Sequence, residues 1–171
     1  MSKARVVIGI DPGLSGALAV IAVRGRLMTT ADAPTMKVVK SGGGKKNTYL
    51  VADMWHMLSR VVSIYDVACA GIEYQASRPG QGAPATFSQG YGYGLWTMAL
   101  AAAGVPYEVV QPRKWKADMR IPSGSDKTAS LLMATQLFPS ASLRTERGRE
   151  LDGRAEALLI AEHLRRKLIK S

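Results

Sequence analysis

The chain has 171 residues, of which 47% are hydrophobic and 21% charged, which is the composition of a globular protein and predicts one domain over residues 1–171. Lys and Arg number 23 against 13 Asp and Glu, and the resulting net charge of +10 is typical of proteins that bind a polyanion, although positive charge can also serve solubility alone. Cys69 is the single cysteine, which excludes an internal disulfide and a zinc site built from several thiolates.

The N-terminal part of the sequence predicts three strands in quick succession. Residues 5–10 (RVVIGI) and 16–23 (GALAVIAV) are short apolar runs rich in β-branched side chains. Turn residues follow each run, Pro12-Gly13 after the first and residues 24–26 after the second, before a third strand over about 26–32. Strands so closely spaced predict an antiparallel meander.

Helices and strands alternate in the rest of the chain. Residues 41–47 (SGGGKKN) predict a flexible loop, and Asn47 or Thr48 is expected to cap a helix that ends near Ser63. The later predicted elements are a strand over 67–73, a loop over 76–84, a helix over 86–103, a strand over 106–110, a short helix opened by Pro112, a helix from Ser125 to Phe138 and a helix over 150–169. This order predicts an α/β protein whose five-stranded mixed sheet, an antiparallel meander plus parallel strands, is flanked by helices.

Four acidic side chains fall where α/β proteins present functional groups. Asp11 ends the first predicted strand, Glu73 ends the fourth, and Asp152 and Glu156 open the last helix. Residues four apart on a helix point the same way and lie about 6 Å apart along its axis, so Asp152 and Glu156 can serve one ion or two neighbouring ions. We therefore expect the four acids to meet in space.

Such a group of carboxylates predicts a divalent metal site. Grouped carboxylates repel one another unless cations lie among them. Mg²⁺ and Mn²⁺ prefer oxygen ligands, and the sequence offers no cysteine cluster and only 2 histidines. Two such ions about 3.5–4 Å apart can activate a water and stabilise the leaving oxygen of a phosphodiester. We expect Mg²⁺ or Mn²⁺, two ions per active site, while basic residues hold the rest of a nucleic-acid backbone.

Each acid also has a purely structural interpretation. Asp11 could start the Pro-Gly turn, Glu73 could be an exposed strand end, and Asp152 could be favoured by the helix dipole. Glu156 could be an exposed helical position or the partner of an arginine. The joint pattern, two acids at strand ends and an acid pair opening the final helix, is what favours a site.

These motifs together resemble the RuvC family of Holliday junction resolvases, and most of all its phage-type members. The resemblance extends from Ile8 to Arg166 and is carried by GIDPGLSGALAV, GIEYQ, the QPRKWK and SGSDKTASLLMATQLFP segments, and DGRAEALLIAEHLRR. It implies an RNase H-like fold and a homodimer that nicks opposing strands of a four-way junction symmetrically with Mg²⁺ or Mn²⁺. It also implies branched DNA as the substrate and no obligatory protein partner.

The resemblance assigns roles to individual residues. Asp11, Glu73 and Glu156 match the family's acids, and the fourth acid, Asp152, stands one place before the position that carries it in bacterial members, here Gly153. Lys127 is expected to act at the scissile phosphate and completes the catalytic set. The expected DNA contacts are Arg113, Lys114, Lys116, Lys127, Lys45, Lys46 and Arg78. A solvated basic surface is the alternative for these residues.

The sequence also departs from the family at the position of an aromatic side chain. Bacterial members insert an aromatic side chain into the junction from the position that is Ala76 here. Tyr74, Phe87 or Tyr91 could substitute for it. Trp115, between two lysines, could stack on a base or anchor its short helix in the core. Closely spaced glycines at 90, 92 and 94 permit tight helix packing, and a dimer interface is expected there.

Two other functional classes stay open. GIDPGLSGALAV also resembles the first phosphate loop of the actin and sugar-kinase fold, but the sequence shows no second such loop. A DNA-binding protein that lost its chemistry is the other class, although binding gives no reason to keep four acids. No apolar signal region opens the chain and no stretch has the length of a membrane span, so we expect a cytoplasmic protein of a bacterial cell or a phage-infected host.

Overall fold

This computed structural model describes residues 2–77, 79–122 and 127–170, with the backbone alone at Lys127. The strands formed by the described residues are β1 (Arg5–Asp11), β2 (Ala17–Ala22), β3 (Leu27–Asp32), β4 (Thr35–Val39), β5 (Lys45–Tyr49), β6 (Asp66–Glu73) and β7 (Tyr107–Val110). The helices are α1 (Val51–Ile64), α2 (Ala83–Ala102), α3 (Pro112–Asp118), α4 (Lys127–Leu137) and α5 (Asp152–Leu168).

Five strands form a mixed sheet in the order β3-β2-β1-β6-β7. β1, β2 and β3 are the antiparallel meander, while β6 runs parallel to β1 and β7 runs parallel to β6. The predicted five-stranded mixed sheet is therefore confirmed. β4 and β5 form a separate antiparallel hairpin.

Each face of the sheet is covered by helices because side chains alternate along the strands. On β1, Val6, Ile8 and Ile10 belong to a core shared with α1 and α2. Val7 belongs to a second core, on the other face, which is shared with α3, α4 and α5. Most of α5 is buried in this second core, so the acids of its first turns are held by a helix that has little freedom to move.

The β4–β5 hairpin is where the sequence-based prediction was wrong. Residues 41–47 were expected to form a flexible loop, but 45–47 are part of β5, and Asn47 and Thr48 lie in that strand instead of capping a helix. Helix α1 begins at Val51 with no side-chain cap. Gly43 and Gly44 adopt positive φ angles of 80° and 77°, which suits the tight turn between the two strands. The polar strand KKN lacks the apolar alternation that reveals most strands.

Other boundaries differ by a few residues. Helix α2 begins at Ala83, three residues before the expected start near 86, because Pro84 occupies its first turn and fits there. Helix α5 begins at Asp152 and not at Glu150, since Glu150 pairs with Arg144 in an isolated β-bridge. Asp152 is therefore in the first helical turn, where its negative charge is favoured by the helix dipole.

Candidate active site

Asp11 and Glu73 lie side by side at the carboxyl ends of two neighbouring parallel strands. Ile10 of β1 is in register with Ile72 of β6, and each acid is the next residue along its strand. Both side chains are partly buried. The backbone N–H of Gly13 donates a hydrogen bond of 3.0 Å to Oδ1 of Asp11, so the turn after β1 fixes one carboxylate oxygen. Carboxyl ends of parallel strands are where this class of sheet presents its functional groups.

The carboxylate of Glu73 is held at both oxygens. The indole N–H of Trp115 donates to Oε1 at 2.9 Å, and the side-chain amide of Gln75 donates to Oε2 at 3.2 Å. Gln89 of α2 in turn donates to the side-chain oxygen of Gln75. Trp115 is completely buried, so it is the core anchor of α3 and not a base-stacking ring. Glu73 is therefore oriented by α3 and by the segment after β6, which α2 supports through Gln89.

Burial raises the pKa of Glu73 above its ordinary value, and the nearby charge of Asp11 adds to the rise, whereas the hydrogen bond from Trp115 and the charge of Lys116 lower it. Two carboxylates placed together beside an apolar core are unfavourable unless a positive charge is present. The electrostatics of this pair thus favour the arrival of a cation.

The N-terminal end of α5 packs directly on the turn that follows Asp11. A Cβ atom at Gly153 would overlap the carbonyl oxygen of Ser15 and lie 2.7 Å from Cα of Gly16, so glycine is required for this close approach. Asp152 lies in the same place, in a cavity that Ser15 and Gly153 also line. The packing explains why the fourth acid stands at 152: position 153 has no room for a side chain.

Lys116 connects the second helical acid to Glu73. Its Nζ lies 3.8 Å from Oε1 of Glu156, whose side chain is 17% exposed. It follows Trp115, the hydrogen-bond donor to Glu73, and its charge acts on Glu73 as well. Lys116 is therefore a positive charge shared by Glu73, at the carboxyl end of β6, and Glu156 of α5.

The donor set fits a hard divalent cation by its chemistry, since it consists of carboxylate oxygens. The geometry is looser: within residues 2–77, 79–122 and 127–170, no three His, Cys, Asp or Glu side chains are grouped closely enough to hold one ion. The sequence-based expectation that the four acids meet in space and converge on ions therefore stays a prediction.

The remaining basic residues predicted to contact DNA lie in different parts of the structure. Arg113 and Lys114 are exposed on α3 and, with Glu73 and Gln75, line a cavity of about 550 Å³. Lys45 and Lys46 are exposed on β5, and the next residue of that strand, Asn47, lines the cavity that contains Asp152. Lys127 begins α4, but its side chain, like all of Arg78, lies outside the described residues.

Several side chains near the acids were not found by sequence analysis. They are Gln75, which donates to Glu73, Gln89, which donates to Gln75, and Tyr49, whose hydroxyl donates to the carbonyl oxygen of Pro12 at 3.0 Å. Of the expected glycine packing, Gly92 is used within the chain, where its lack of a side chain admits the Tyr49 ring. Of these side chains, only Gln75 could have been found from the sequence, because it lies two residues after the strand-end acid in GIEYQ.

Part of the chain is similar in sequence to a known protein. No protein-family model matches the chain. It is 32% identical over 103 residues to the chloroplastic Holliday junction resolvase MOC1 of Chlamydomonas reinhardtii, a match that covers 60% of this chain but only 11% of the algal protein. Among the described residues, no helix is long and apolar enough to cross a membrane.

Two solved structures resemble the whole chain. T. thermophilus RuvC in complex with a Holliday junction substrate superposes with a TM-score of 0.61 at 20% identity, over 96% of each chain. A second Thermus thermophilus RuvC structure has a TM-score of 0.53 at 20% identity, also over 96% of each chain. The chain therefore has the RNase H-like fold of RuvC, as its sequence predicted.

Proposed function

We propose that this chain is a structure-selective DNA endonuclease that resolves four-way junctions, and cuts other branched DNA, by symmetric nicking. The observation that carries the proposal is the placement of Asp11 and Glu73 at adjacent parallel strand ends, with Asp152 and Glu156 on the helix packed beside them. The net charge of +10 suits a nucleic-acid substrate. The likeness to RuvC and to the MOC1 segment supports this substrate class.

Asp11, Glu73, Asp152 and Glu156 are the residues that would hold Mg²⁺ or Mn²⁺, two ions per active site. Such ions supply an activated water and stabilise the leaving oxygen of the phosphodiester. The raised pKa of Glu73, caused first by burial and then by Asp11, supports a cation at this edge. We place Lys127, the first residue of α4, in the catalytic set as well, as the resemblance to the RuvC family implies.

The chain's own residues orient the site and hold the DNA. Trp115 and Gln75 fix the two oxygens of Glu73, and the Gly13 N–H fixes one oxygen of Asp11. Arg113 and Lys114 flank the cavity that contains Glu73, so they can neutralise phosphates on either side of the scissile one. Lys116 offsets the charge of Glu156 until a cation or phosphate arrives.

The finer assignments are part of the proposal. We infer that the enzyme resembles phage-type members, that residues 1–171 act as one nuclease domain, and that it works in the cytoplasm of a bacterial cell or an infected host without an obligatory protein partner.

Symmetric nicking needs two active sites, and we therefore propose a homodimer. Met98 of α2 is 67% exposed and Gly94 faces open space, which suits an interface on the second half of α2. Met98→Glu should then give monomers in sedimentation velocity.

The decisive experiment compares a labelled four-way junction with a linear duplex of the same sequences, in Mg²⁺, Mn²⁺ or EDTA. We expect paired symmetric nicks on the junction with either metal, products that a ligase seals, and no cutting in EDTA. Asp11→Asn should abolish cutting and keep junction binding, because it removes charge from the site and not from the DNA-holding surface. Asp53→Asn, an exposed acid on α1, is the matched control and should cut normally.

Three outcomes would contradict the proposal. Normal cutting by Asp11→Asn would show that the active site is assigned to the wrong residues. Stable junction binding without cutting in either metal would favour a DNA-binding protein without catalysis. ATP hydrolysis without DNA cleavage would favour a nucleotide-binding protein related to the actin fold.

A further inference from the structure

A second cleft lies beside the acids, between the β4–β5 hairpin and the N-terminal half of α2. Its volume is about 750 Å³, and Leu14, in the turn after Asp11, is one of its lining residues. Aromatic rings of α2 and lysines of the hairpin segment line this cleft. They are Phe87, Tyr91, Lys40 and Lys46.

The aromatic part of the cleft is exposed and built as a row. Phe87 is 74% exposed, an unusual position for a ring that usually lies in a core. It stacks on Tyr91 with 6.2 Å between ring centroids and 7° between planes. Tyr91 meets Tyr49 edge-on at 6.0 Å, and the hydroxyl of Tyr49 binds the carbonyl of Pro12, next to Asp11. The row therefore leads from the acids to the surface.

The charged part of the cleft is positive. Lys40 and Lys46 are exposed, and neither forms an ion pair with another residue in the part of the chain that the structure describes. The described lining contains no carboxylate. A flat apolar ring beside unpaired positive charge complements a ligand with a flat aromatic group and flanking negative charges. A nucleotide whose base is free of its partner strand has this chemistry, whereas the bases of a duplex are stacked on each other and closed to a side chain.

We propose that this cleft binds an unpaired nucleotide segment of branched DNA, with a base stacked on Phe87 and neighbouring phosphates at Lys40 and Lys46. The inference rests on the proposed function, because it names the part of the branched substrate that is held next to the acids. Phe87 provides the ring from α2, and the lysines provide the positive charge from the hairpin segment.

The test measures binding in EDTA, so that no cleavage occurs. The probes are a short fluorescent oligothymidylate, a blunt linear duplex, and a four-way junction with 2-aminopurine at the exchange point. We expect the wild-type protein to change the fluorescence of 2-aminopurine when it binds the junction, because the probe base leaves its neighbours and stacks on Phe87. Phe87→Ala should abolish this change, weaken oligothymidylate binding about tenfold and leave duplex binding unchanged. Phe87→Trp should bind like the wild type, because an indole also stacks. Ile169→Ala, which removes another exposed apolar side chain just beyond α5, should change nothing.

The lysines are tested by the salt dependence of binding. Lys46→Ser should lower the slope of log affinity against log salt for oligothymidylate by about 0.7, the loss of one phosphate contact to a single strand. Lys37→Ser removes the same charge from the same hairpin but outside the cleft. We expect it to leave the slope unchanged. Equal effects of both variants would overturn the assignment of phosphates to the cleft.

The outcomes separate this inference from the proposed function. If the wild type cuts no junction but Phe87→Ala still loses oligothymidylate binding, only the proposed function fails. If the wild type resolves junctions and Phe87→Ala binds every probe normally, the cleft inference is overturned. It is also overturned if Phe87→Ala changes the sedimentation of the protein and not its DNA binding, because a second copy of the chain would then be the occupant.

Discussion

Trp115 shows how a single core residue can act on the site. It is fully buried, and its indole N–H holds Oε1 of Glu73 at 2.9 Å. Trp115→Phe keeps most of the packing but removes this bond to a charged group, whose net contribution is about 1.5 kcal/mol or more. We therefore expect junction cleavage to fall about tenfold in kcat, with junction affinity in EDTA unchanged, because the carboxylate is less well oriented.

Trp96 offers a matched control for that variant. It is as deeply buried as Trp115, but its indole nitrogen has no hydrogen-bond partner among the described residues. Trp96→Phe should cost similar packing energy without affecting Glu73. If both variants lost cleavage equally, the hydrogen bond would have no special role and the loss would reflect core packing alone.

The strand-end acids could be predicted from the sequence, whereas the hydrogen bond from Trp115 could not. Asp11 and Glu73 were predictable because each follows an apolar run that identifies a strand, and parallel strand ends share an edge. The bond between Trp115 and Glu73 joins residues 42 apart, and only the packing of α3 brings them together. Nothing local in QPRKWK distinguishes a ring that binds a carboxylate from one that only fills space.

Among the elements, the β4–β5 hairpin and α2 meet through a contact that sequence could not reveal. Tyr49 ends β5, and its hydroxyl reaches the carbonyl of Pro12 only because Gly92 leaves room for the ring. A Cβ at Gly92 would overlap the hydroxyl oxygen of Tyr49 and lie 2.8 Å from that carbonyl. Residues 41–47 were predicted as a loop and Tyr49 as part of the helix that follows, because polar strands without alternation carry little signal, so this contact could not be predicted either.

Gly92→Ala is the variant that tests this contact. Overpacking at a buried position should lower the free energy of unfolding by about 1–3 kcal/mol and displace Tyr49 from Pro12, with a loss of cleavage. The measurements are urea unfolding and junction cleavage.

Gly90 supplies the control on the same helix, since no neighbouring heavy atom lies within 4 Å of the Cβ that alanine would add. Gly90→Ala should raise the free energy of unfolding by about 0.5–1 kcal/mol through helix propensity alone. A Gly92→Ala protein as stable and active as Gly90→Ala would contradict the assigned role of Tyr49.

For the molecule as a whole, α5 links the acids to the core. Its first turn carries Asp152, while Glu162 is buried farther along, with a side chain only 5% exposed. Arg165 donates two hydrogen bonds to Glu162, at 2.7 and 2.9 Å, and Arg166 donates one at 2.8 Å. Arg165 also donates to the carbonyl of Val23, beyond the end of β2. This cluster fixes the far end of α5 against the sheet and so maintains the angle at which its acids approach β1.

The cluster makes stability depend on pH in a definite direction. Burial by itself raises the pKa of the Glu162 carboxyl, but the hydrogen bonds and charges of Arg165 and Arg166 outweigh it and hold the pKa below its ordinary value. A carboxyl with a lowered folded-state pKa stabilises the fold above its unfolded-state pKa, about 4.3, and loses that stabilisation as pH falls through the folded value. The contribution of Glu162 is therefore complete at neutral pH.

Glu162→Gln should reduce the free energy of unfolding by about 1.5–3 kcal/mol at neutral pH, because a neutral amide at this buried position cannot replace the charged hydrogen bonds to two arginines. Measured by urea unfolding across pH, the difference from the wild type should shrink as pH falls from the unfolded-state pKa, about 4.3, through the lower pKa of the folded carboxyl, because the wild-type side chain then also becomes neutral. Glu150→Gln breaks the exposed pair with Arg144 and should cost no more than about 1 kcal/mol. A difference for Glu162→Gln that stayed constant down to acid pH would mean that shape, and not charge, anchors α5.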